Sequence, residues 1–189
     1  MINYGTIQRS IEFYEAAAFK RIESPWTVAE SISNITKPTW ATSFTIKEKN
    51  KVLVASGEQS FLAMYNKGFL PKGAFQTVTP CFRDDTFSPI HTKYFIKNEL
   101  IITDDPTENS LMDMIDVARQ FFRRETGGKE ITLKKLEDGS FDLYLGDIEL
   151  GSYGIRSCPF LTWIYGTGVA EPRLTRAMQH YGIPPKKDS

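Results

Sequence analysis

Little in the sequence points to disulfide, metal-thiolate or membrane chemistry. Only two cysteines, Cys81 and Cys158, occur in 189 residues, which is too few for a disulfide framework or a cysteine-based zinc site. Both lie in apolar, strand-like surroundings, so we expect buried free thiols. No run of about 18 apolar residues is present to cross a membrane, and the N-terminal MINYGTIQRS has no apolar signal core. These absences predict a cytoplasmic protein without a membrane partner.

The charge balance favours no class of charged partner. Lys+Arg and Asp+Glu both total 23, so the formal net charge is +0. A balanced chain exerts no global attraction on a polyanion, which argues against strong RNA binding by the chain alone. The hydrophobic fraction of 41% is ordinary for a globular protein. We expect residues 1–189 to form one domain with a substantial core.

A long hairpin at residues 74–103 is the most informative stretch. Apolar residues occur along both predicted strands, which are separated by a polar loop. Arg83 ends the first strand, and Phe95 stands on the second. A guanidinium presents a planar fork of donors that fits phosphate, and an aromatic ring can stack on a nucleobase. The pattern therefore predicts a nucleotide site at the mouth of the hairpin.

The same hairpin resembles motif 2 of the class II aminoacyl-tRNA synthetases. The resemblance lies in Phe82-Arg83-Asp84-Asp85 and the later Tyr94-Phe95. The loop most resembles the aspartyl and asparaginyl enzymes and the related ammonia-dependent asparagine synthetase. The last of these also has Asp at the position of Asp85, where the synthetases usually have Glu, and a segment similar to Ser88-Pro89-Ile90-His91.

This resemblance implies roles for four residues. Arg83 would bind the α-phosphate of ATP, and Asp85 would help to place the nucleotide or the substrate amine. Phe95 would stack on adenine. His91 would contact ATP or an acceptor, although a loop histidine without a role is the alternative.

A second constellation lies in the strand-like segment 147–156. Glu149 and Arg156 are seven residues apart, with small residues between them that allow a ligand to approach the backbone. Aspartyl-like enzymes and asparagine synthetase have a similar Glu and Arg at this spacing. The resemblance implies that Glu149 binds Mg²⁺ at the ATP phosphates and that Arg156 holds an acidic or amide substrate side chain, with Ser152 as a further substrate contact. The alternative is a cross-strand ion pair.

Two further segments resemble parts of the same family. Ser56-Gly57-Glu58-Gln59 is similar to a Ser-Pro-Glu or Ser-Pro-Gln loop, which implies that Glu58 and Gln59 contact the amino acid. The alternative for Glu58 is an acid favoured by the dipole of a helix first turn. Gly166, Gly168 and Arg173 are similar to motif 3, with Ala170 replacing its third glycine. Arg173 would then bind the γ-phosphate, and Gly166 and Gly168 would belong to the same ATP site.

The remaining periodicity predicts an α+β fold. We expect helices at 6–19 and 107–124, a helix that follows residues 56–62 and runs to about 67, and one that runs to about 181, with strands at 20–23, 42–46, 52–55, 130–136 and 141–145. Thr6 would cap the first helix, and the helix at 107–124 would bury a stripe that includes Met112 and end at Gly127-Gly128. The first helix, its strand and Pro25 resemble motif 1, which forms the dimer interface in the family; the alternative is an amphipathic surface helix before a turn. The resemblance implies a class II synthetase-like antiparallel sheet flanked by helices, and a homodimer.

The implied activity is ATP- and Mg²⁺-dependent activation of an amino acid to an aminoacyl-adenylate. Arg156 favours an aspartate-like substrate, and the acceptor would be tRNA or another molecule. No segment remains for an anticodon-binding domain, so a tRNA partner stays open. Two alternatives are an asparagine-synthetase-like amide ligase and a non-catalytic paralogue that binds ATP, an amino acid or a partner protein.

Overall fold

The computed structural model describes residues 1–47, 49–84 and 92–186, and within these ranges the chain forms ten strands and five helices. The helices are α1 Tyr4–Ala16, α2 Glu30–Thr36, α3 Gly57–Asn66, α4 Glu108–Glu125 and α5 Arg173–His180. The strands are β1 Lys20–Arg21, β2 Thr27–Ala29, β3 Thr45–Ile46, β4 Lys51–Leu53, β5 Ala74–Phe82, β6 Tyr94–Ile102, β7 Thr132–Lys135, β8 Phe141–Leu145, β9 Ile148–Cys158 and β10 Leu161–Glu171.

Seven strands form the central sheet, in the order β1-β5-β6-β10-β9-β8-β7. Within the described residues, β1 and β5 are the only parallel neighbours in this sheet, and every other neighbouring pair of strands is antiparallel. The predicted central hairpin is confirmed, because β5 and β6 pair from Ala74↔Ile102 to Phe82↔Tyr94. The predicted α+β class and flanked antiparallel sheet are therefore correct.

One face of the sheet is covered by α1, α4 and α5. Their apolar side chains join those of β6, β8, β9 and β10 in one core cluster. The buried stripe of α4 contains Met114, which is 1% exposed, whereas the predicted member Met112 is only partly buried. Both methionines lie near the apolar stripe of α4, and the orientation of the helix on the sheet buries Met114 more fully than Met112.

The opposite face is covered in part by a small sheet with two helices. The strand order there is β2-β4-β3, and α2 and α3 pack with it. Phe61, Leu62 and Val52 meet Phe75 and Trp163 of the large sheet in a second core cluster. The predicted pairing of β3 with β4 is confirmed with shorter strands, while β2 and α2 were not predicted.

Side-chain caps are present at the starts of α1 and α4, and the residue that caps α1 differs from the predicted one. Thr107 caps α4 by accepting a hydrogen bond from the Ser110 amide at 3.2 Å. The cap of α1 is Asn3 rather than the predicted Thr6, because the Asn3 side chain accepts the bond from the Thr6 amide at 3.1 Å. Gly128 (φ +85°) donates to the Arg123 carbonyl at 2.8 Å and ends α4 as predicted.

The two cysteines differ in how far they are buried. Cys81 is buried as expected, and burial raises the pKa of its thiol to about 11, whereas Cys158 is only half-buried. No helix within the described ranges combines the length and the apolar character needed to span a bilayer.

Candidate active site

Arg83 and Arg173 lie at the same end of the central sheet, one residue after β5 and two residues after β10, the two strands that flank β6. The Arg83 amide donates to the Lys93 carbonyl at 2.9 Å, directly beyond the last β5–β6 pair. On the other side of β6, Glu171 pairs with Ile96, and Arg173 begins α5 two residues later. Two strand spacings separate β5 from β10, so the backbones are roughly 10 Å apart.

Both arginine side chains lie on the face opposite α1 and α4, which we call the open face. The guanidinium of Arg83 lies 5.1 Å from the centre of the Phe95 ring, and its Nε donates to the Ala55 carbonyl at 3.0 Å. Arg173 donates from Nη1 to Oε1 of Glu149 at 2.7 Å. Strand alternation places Glu149 on the open face, because Ile148 and Leu150 enter the core beneath the helices.

A cavity of about 360 Å³ opens beside Arg83. The predicted substrate contacts Glu58, Gln59, Ser152 and Arg156 all line it. The fold therefore brings residues 98 positions apart in sequence to one cavity, since α3 packs on β5 and β6 and these strands lie in the same sheet as β9.

Glu58 and Arg156 form an ion pair in the wall of this cavity. Arg156 Nη1 donates to Oε2 of Glu58 at 2.6 Å, and Trp163 Nε1 donates to Oε1 at 2.7 Å. The Arg156 guanidinium also lies 4.0 Å from the centre of the Tyr165 ring. Burial raises the pKa of Glu58, and the charge of Arg156 opposes that rise. The ion-pair alternative for Arg156 is thus observed, but its partner is on α3 and not on a neighbouring strand.

The side chain of Gln59 makes hydrogen bonds that hold α3 in place. Its Oε1 accepts from the Ala55 amide at 2.9 Å, and its Nε2 donates to the Ser33 carbonyl at 3.2 Å and to the Ser33 hydroxyl at 3.1 Å. These bonds link α2, the segment after β4 and α3. The residue therefore shapes the cavity wall whatever else it contacts.

Two cavity residues on β6 were not predicted. Lys97 donates from Nζ to Oε1 of Glu99 at 2.7 Å, and both residues line the cavity. Glu99 is 1% exposed, and its Oε2 has no hydrogen-bond partner among the residues described. A buried carboxylate oxygen without a donor is costly, so this atom is a strong acceptor for a ligand. The signal was present, since Phe95, Lys97 and Glu99 alternate along β6 and share a face.

Asp142 is a second carboxylate on the open face near Glu149. In the β8–β9 ladder Asp142 pairs with Ser152, and Tyr144 pairs with Glu149. The Oδ1 atom of Asp142 is buried and has no hydrogen-bond partner within the described ranges. Burial raises the pKa of Asp142, and the charge of Glu149 raises it further. Mg²⁺ binds carboxylate oxygens, and one or two carboxylates commonly hold it beside phosphates, so these residues fit that ion.

The glycines of the predicted site have packing partners in the protein. A Cβ on Gly166 would lie 2.5 Å from Sδ of Met114, and one on Gly154 would lie 2.8 Å from the Tyr165 ring. Gly168 lies at a bulge in β10, where its carbonyl accepts from the Tyr14 hydroxyl at 2.9 Å. Close approach at these positions is made by neighbouring side chains, which gives a structural reason for glycine independent of any ligand.

Asp85 and His91 belong to residues 85–91, outside the described residues. Their proposed contacts with the nucleotide stay predictions. The same holds for the segment Ser88–His91, on which the likeness to asparagine synthetase depended.

Comparisons with known proteins gave matches among solved structures only. No family model matches the chain, and no curated protein does. The seryl-tRNA synthetase from Pyrococcus horikoshii, complexed with ATP, has a TM-score of 0.74 and 15% identity over 93% of this chain and 49% of that chain. The cytoplasmic serine-tRNA ligase from Naegleria fowleri, in complex with AMP, has a TM-score of 0.70 and 18% identity over 92% and 47%.

A further match is the pyrrolysyl-tRNA synthetase from Desulfitobacterium hafniense. It has a TM-score of 0.71 and 18% identity over 94% of this chain and 69% of that chain. The chain spans about half the length of the two seryl enzymes. At these identities the likeness concerns the fold: the chain has a class II aminoacyl-tRNA synthetase-like fold, an antiparallel sheet flanked by helices.

Proposed function

We propose that this chain activates the carboxylate of an amino acid with ATP, giving an aminoacyl-adenylate and pyrophosphate. The observation that carries the proposal is the placement of Arg83 and Arg173 on one face and at one end of the sheet, with Arg83 lining a cavity whose wall contains Glu99 with its unpaired carboxylate oxygen. Two guanidinium groups in this arrangement suit the two ends of a triphosphate.

Arg83 binds the α-phosphate and Arg173 the γ-phosphate in the proposed complex. A carboxylate oxygen of the amino acid forms a bond to the α-phosphorus in line, while the bond to the bridging oxygen breaks and pyrophosphate leaves. This reaction needs positioning and charge stabilisation rather than a protein nucleophile. The Nε bond of Arg83 to the Ala55 carbonyl keeps the guanidinium beside the cavity before the nucleotide binds.

Adenine stacks on Phe95 in this proposal. The ring already carries the Arg83 guanidinium at 5.1 Å from its centre, which shows that its π face is accessible to a flat, electron-poor group. Binding of adenine therefore moves Arg83 from the ring towards the phosphate.

Glu99 and the pair Asp142 and Glu149 supply the acidic part of the proposed site. The unpartnered Oε2 of Glu99 accepts the α-ammonium group of the amino acid. Asp142 and Glu149 hold Mg²⁺, which neutralises phosphate charge when it is bound. Arg173 leaves Glu149 for the phosphate as the site fills.

Several finer points stay proposals. The homodimer and transfer to tRNA or another acceptor come from the sequence resemblance. The resemblance also suggested an aspartate-like substrate, but Arg156, on which that suggestion rested, is paired with Glu58 at 2.6 Å. A non-catalytic paralogue is favoured by one observation: Arg156 and Arg173 are both occupied by internal ion pairs of 2.6 and 2.7 Å.

Amino-acid-dependent ATP–pyrophosphate exchange tests the proposal. We expect exchange with at least one of the standard amino acids in the presence of Mg²⁺. ATP binding without exchange for any amino acid would favour the non-catalytic paralogue, and ammonia-dependent release of asparagine would favour the amide ligase. The exposed Arg124→Ala on α4 is a matched control for arginine substitutions in the site.

A further inference from the structure

Four charged side chains in the wall of the cavity form two ion pairs, so their charges cancel within each pair. Glu58 and Arg156 approach to 2.6 Å, and Lys97 and Glu99 to 2.7 Å. The side chains of Glu58 and Glu99 are 5% and 1% exposed, so these charges are compensated by protein groups and not by bulk water. These two pairs therefore add no net charge to the cavity wall, whose other charged residues are Lys37, Arg83 and Asp84.

The Glu58–Arg156 pair is supported on both sides. Trp163 donates to the second oxygen of Glu58, and the Tyr165 ring lies under the guanidinium of Arg156. A substrate carboxylate that took Arg156 from Glu58 would leave a buried acid without its counter-charge. That change is expensive, because the desolvated carboxylate keeps only the Trp163 bond.

We infer that the cavity accepts an amino acid with an uncharged side chain, and that the Glu58–Arg156 ion pair is the element that excludes charged ones. The inference rests on the proposed function and names the substrate class of that site. An acidic side chain would meet Glu58, and a basic one would meet Arg156 and Lys97. Within the two ion pairs neither would find a free counter-charge, since the free oxygen of Glu99 is assigned to the α-ammonium group, and Arg83 is assigned to the α-phosphate.

The opposite wall agrees with an uncharged occupant. Seven residues of the segment 36–43 line the cavity, of which only Lys37 is charged, and Trp40 presents an indole ring that is 78% exposed. Tyr165 adds a second aromatic surface. Such surfaces favour contact with apolar or hydroxyl-bearing groups.

The test measures binding of sulfamoyl adenosine analogues that carry serine, leucine, aspartate or lysine. Calorimetry gives a dissociation constant for each on the full chain, and ATP is measured alongside. We expect the seryl or leucyl analogue to bind at least about tenfold more tightly than the aspartyl and lysyl analogues, a difference of roughly 1.4 kcal/mol.

Two variants test the role of the ion pair. Glu58→Gln keeps an oxygen for Trp163 but frees Arg156, so the preference for the seryl over the aspartyl analogue should fall by about tenfold or more. Arg156→Gln frees Glu58, so the lysyl analogue should gain relative to the seryl one. Glu23→Gln, in the exposed pair with Arg21, is the matched control and should change neither ratio.

The outcomes separate this inference from the proposed function. Tightest binding of the aspartyl analogue by the wild type, or unchanged ratios in both variants, overturns the inference while the function stands. Absence of binding for every analogue and for ATP overturns the proposed function and the inference with it. Circular dichroism of each variant identifies one that does not fold, in which case the other variant decides.

Discussion

Arg173 and Glu149 join the start of α5 to β9 through an ion pair of 2.7 Å. Their side chains are 21% and 38% exposed, so water already screens the attraction. Pairs of this kind contribute about 0–1 kcal/mol to stability. Arg173 can therefore exchange Glu149 for a phosphate at little cost, and Glu149 then becomes accessible to a metal ion.

The first prediction concerns the two arginines. Arg83→Ala and Arg173→Ala should each lower ATP–pyrophosphate exchange by about 100-fold or more, because each removes a charge opposite developing phosphate charge. The free energy of unfolding in urea should change by about 1 kcal/mol or less. Arg124→Ala should match the wild type in both assays. A large loss of stability in both site variants would instead identify the arginines as structural.

The second prediction concerns the metal site. Asp142→Asn should raise the Mg²⁺ concentration for half-maximal exchange by about tenfold or more, because it removes one of two carboxylates. Stability should stay the same or rise, since burial disfavours the ionised form of Asp142. Exchange measured against MgCl₂ concentration tests this, with the exposed Asp116→Asn on α4 as control. An unchanged Mg²⁺ dependence would remove Asp142 from the site.

The central hairpin shows what the sequence could predict. The residues of β5 and β6 alternate and flank a polar loop, so their pairing and the position of Arg83 followed from local pattern. The order of the family-like segments along the chain also identified Glu58 and Arg156 as site residues. Pairing between those two was not predictable, because their contact depends on how α3 packs on the sheet.

The unpredicted elements have equally physical causes. β2 and α2 are three and seven residues long, too short for a periodic signal, and they form through packing with α3 and β4. Glu99 and Asp142 stand among apolar strand residues, and only the sheet register shows that they share the open face. The glycines were interpreted as space for a ligand, but a sequence cannot distinguish that space from room for Met114 or Tyr165.

The third prediction follows from the packing of Gly166. Gly166→Ala should destabilise the fold by about 1–3 kcal/mol, because the new Cβ would lie 2.5 Å from Met114 Sδ and 2.8 Å from the Tyr153 ring. Urea unfolding measures the change. The double variant with Met114→Ala should lose less stability than the sum of the two single variants, since the neighbours couple directly. Additive losses would contradict this contact.

The last prediction concerns Glu171, which is fully buried at the end of β10. Its Oε2 accepts a hydrogen bond from the Asn3 amide at 3.4 Å. Burial raises the pKa of Glu171 to about 7 from its ordinary value of 4.5, while hydrogen bonds from Thr175 and Asn3 oppose the rise. The folded state therefore binds more protons than the unfolded state between these two values.

The sign of the pH dependence follows from that difference in bound protons. Stability should fall as the pH rises from about 4.5 to 7, because ionised Glu171 is tolerated better in the unfolded chain, by up to about 3 kcal/mol. Glu171→Gln keeps the acceptor for Asn3 but cannot ionise, so it should be more stable than the wild type at pH 8 and similar to it near pH 4. Urea unfolding across this range measures the difference, with the exposed Glu15→Gln on α1 as control. A difference between Glu171→Gln and the wild type that stays constant with pH would show that Glu171 does not titrate in this window.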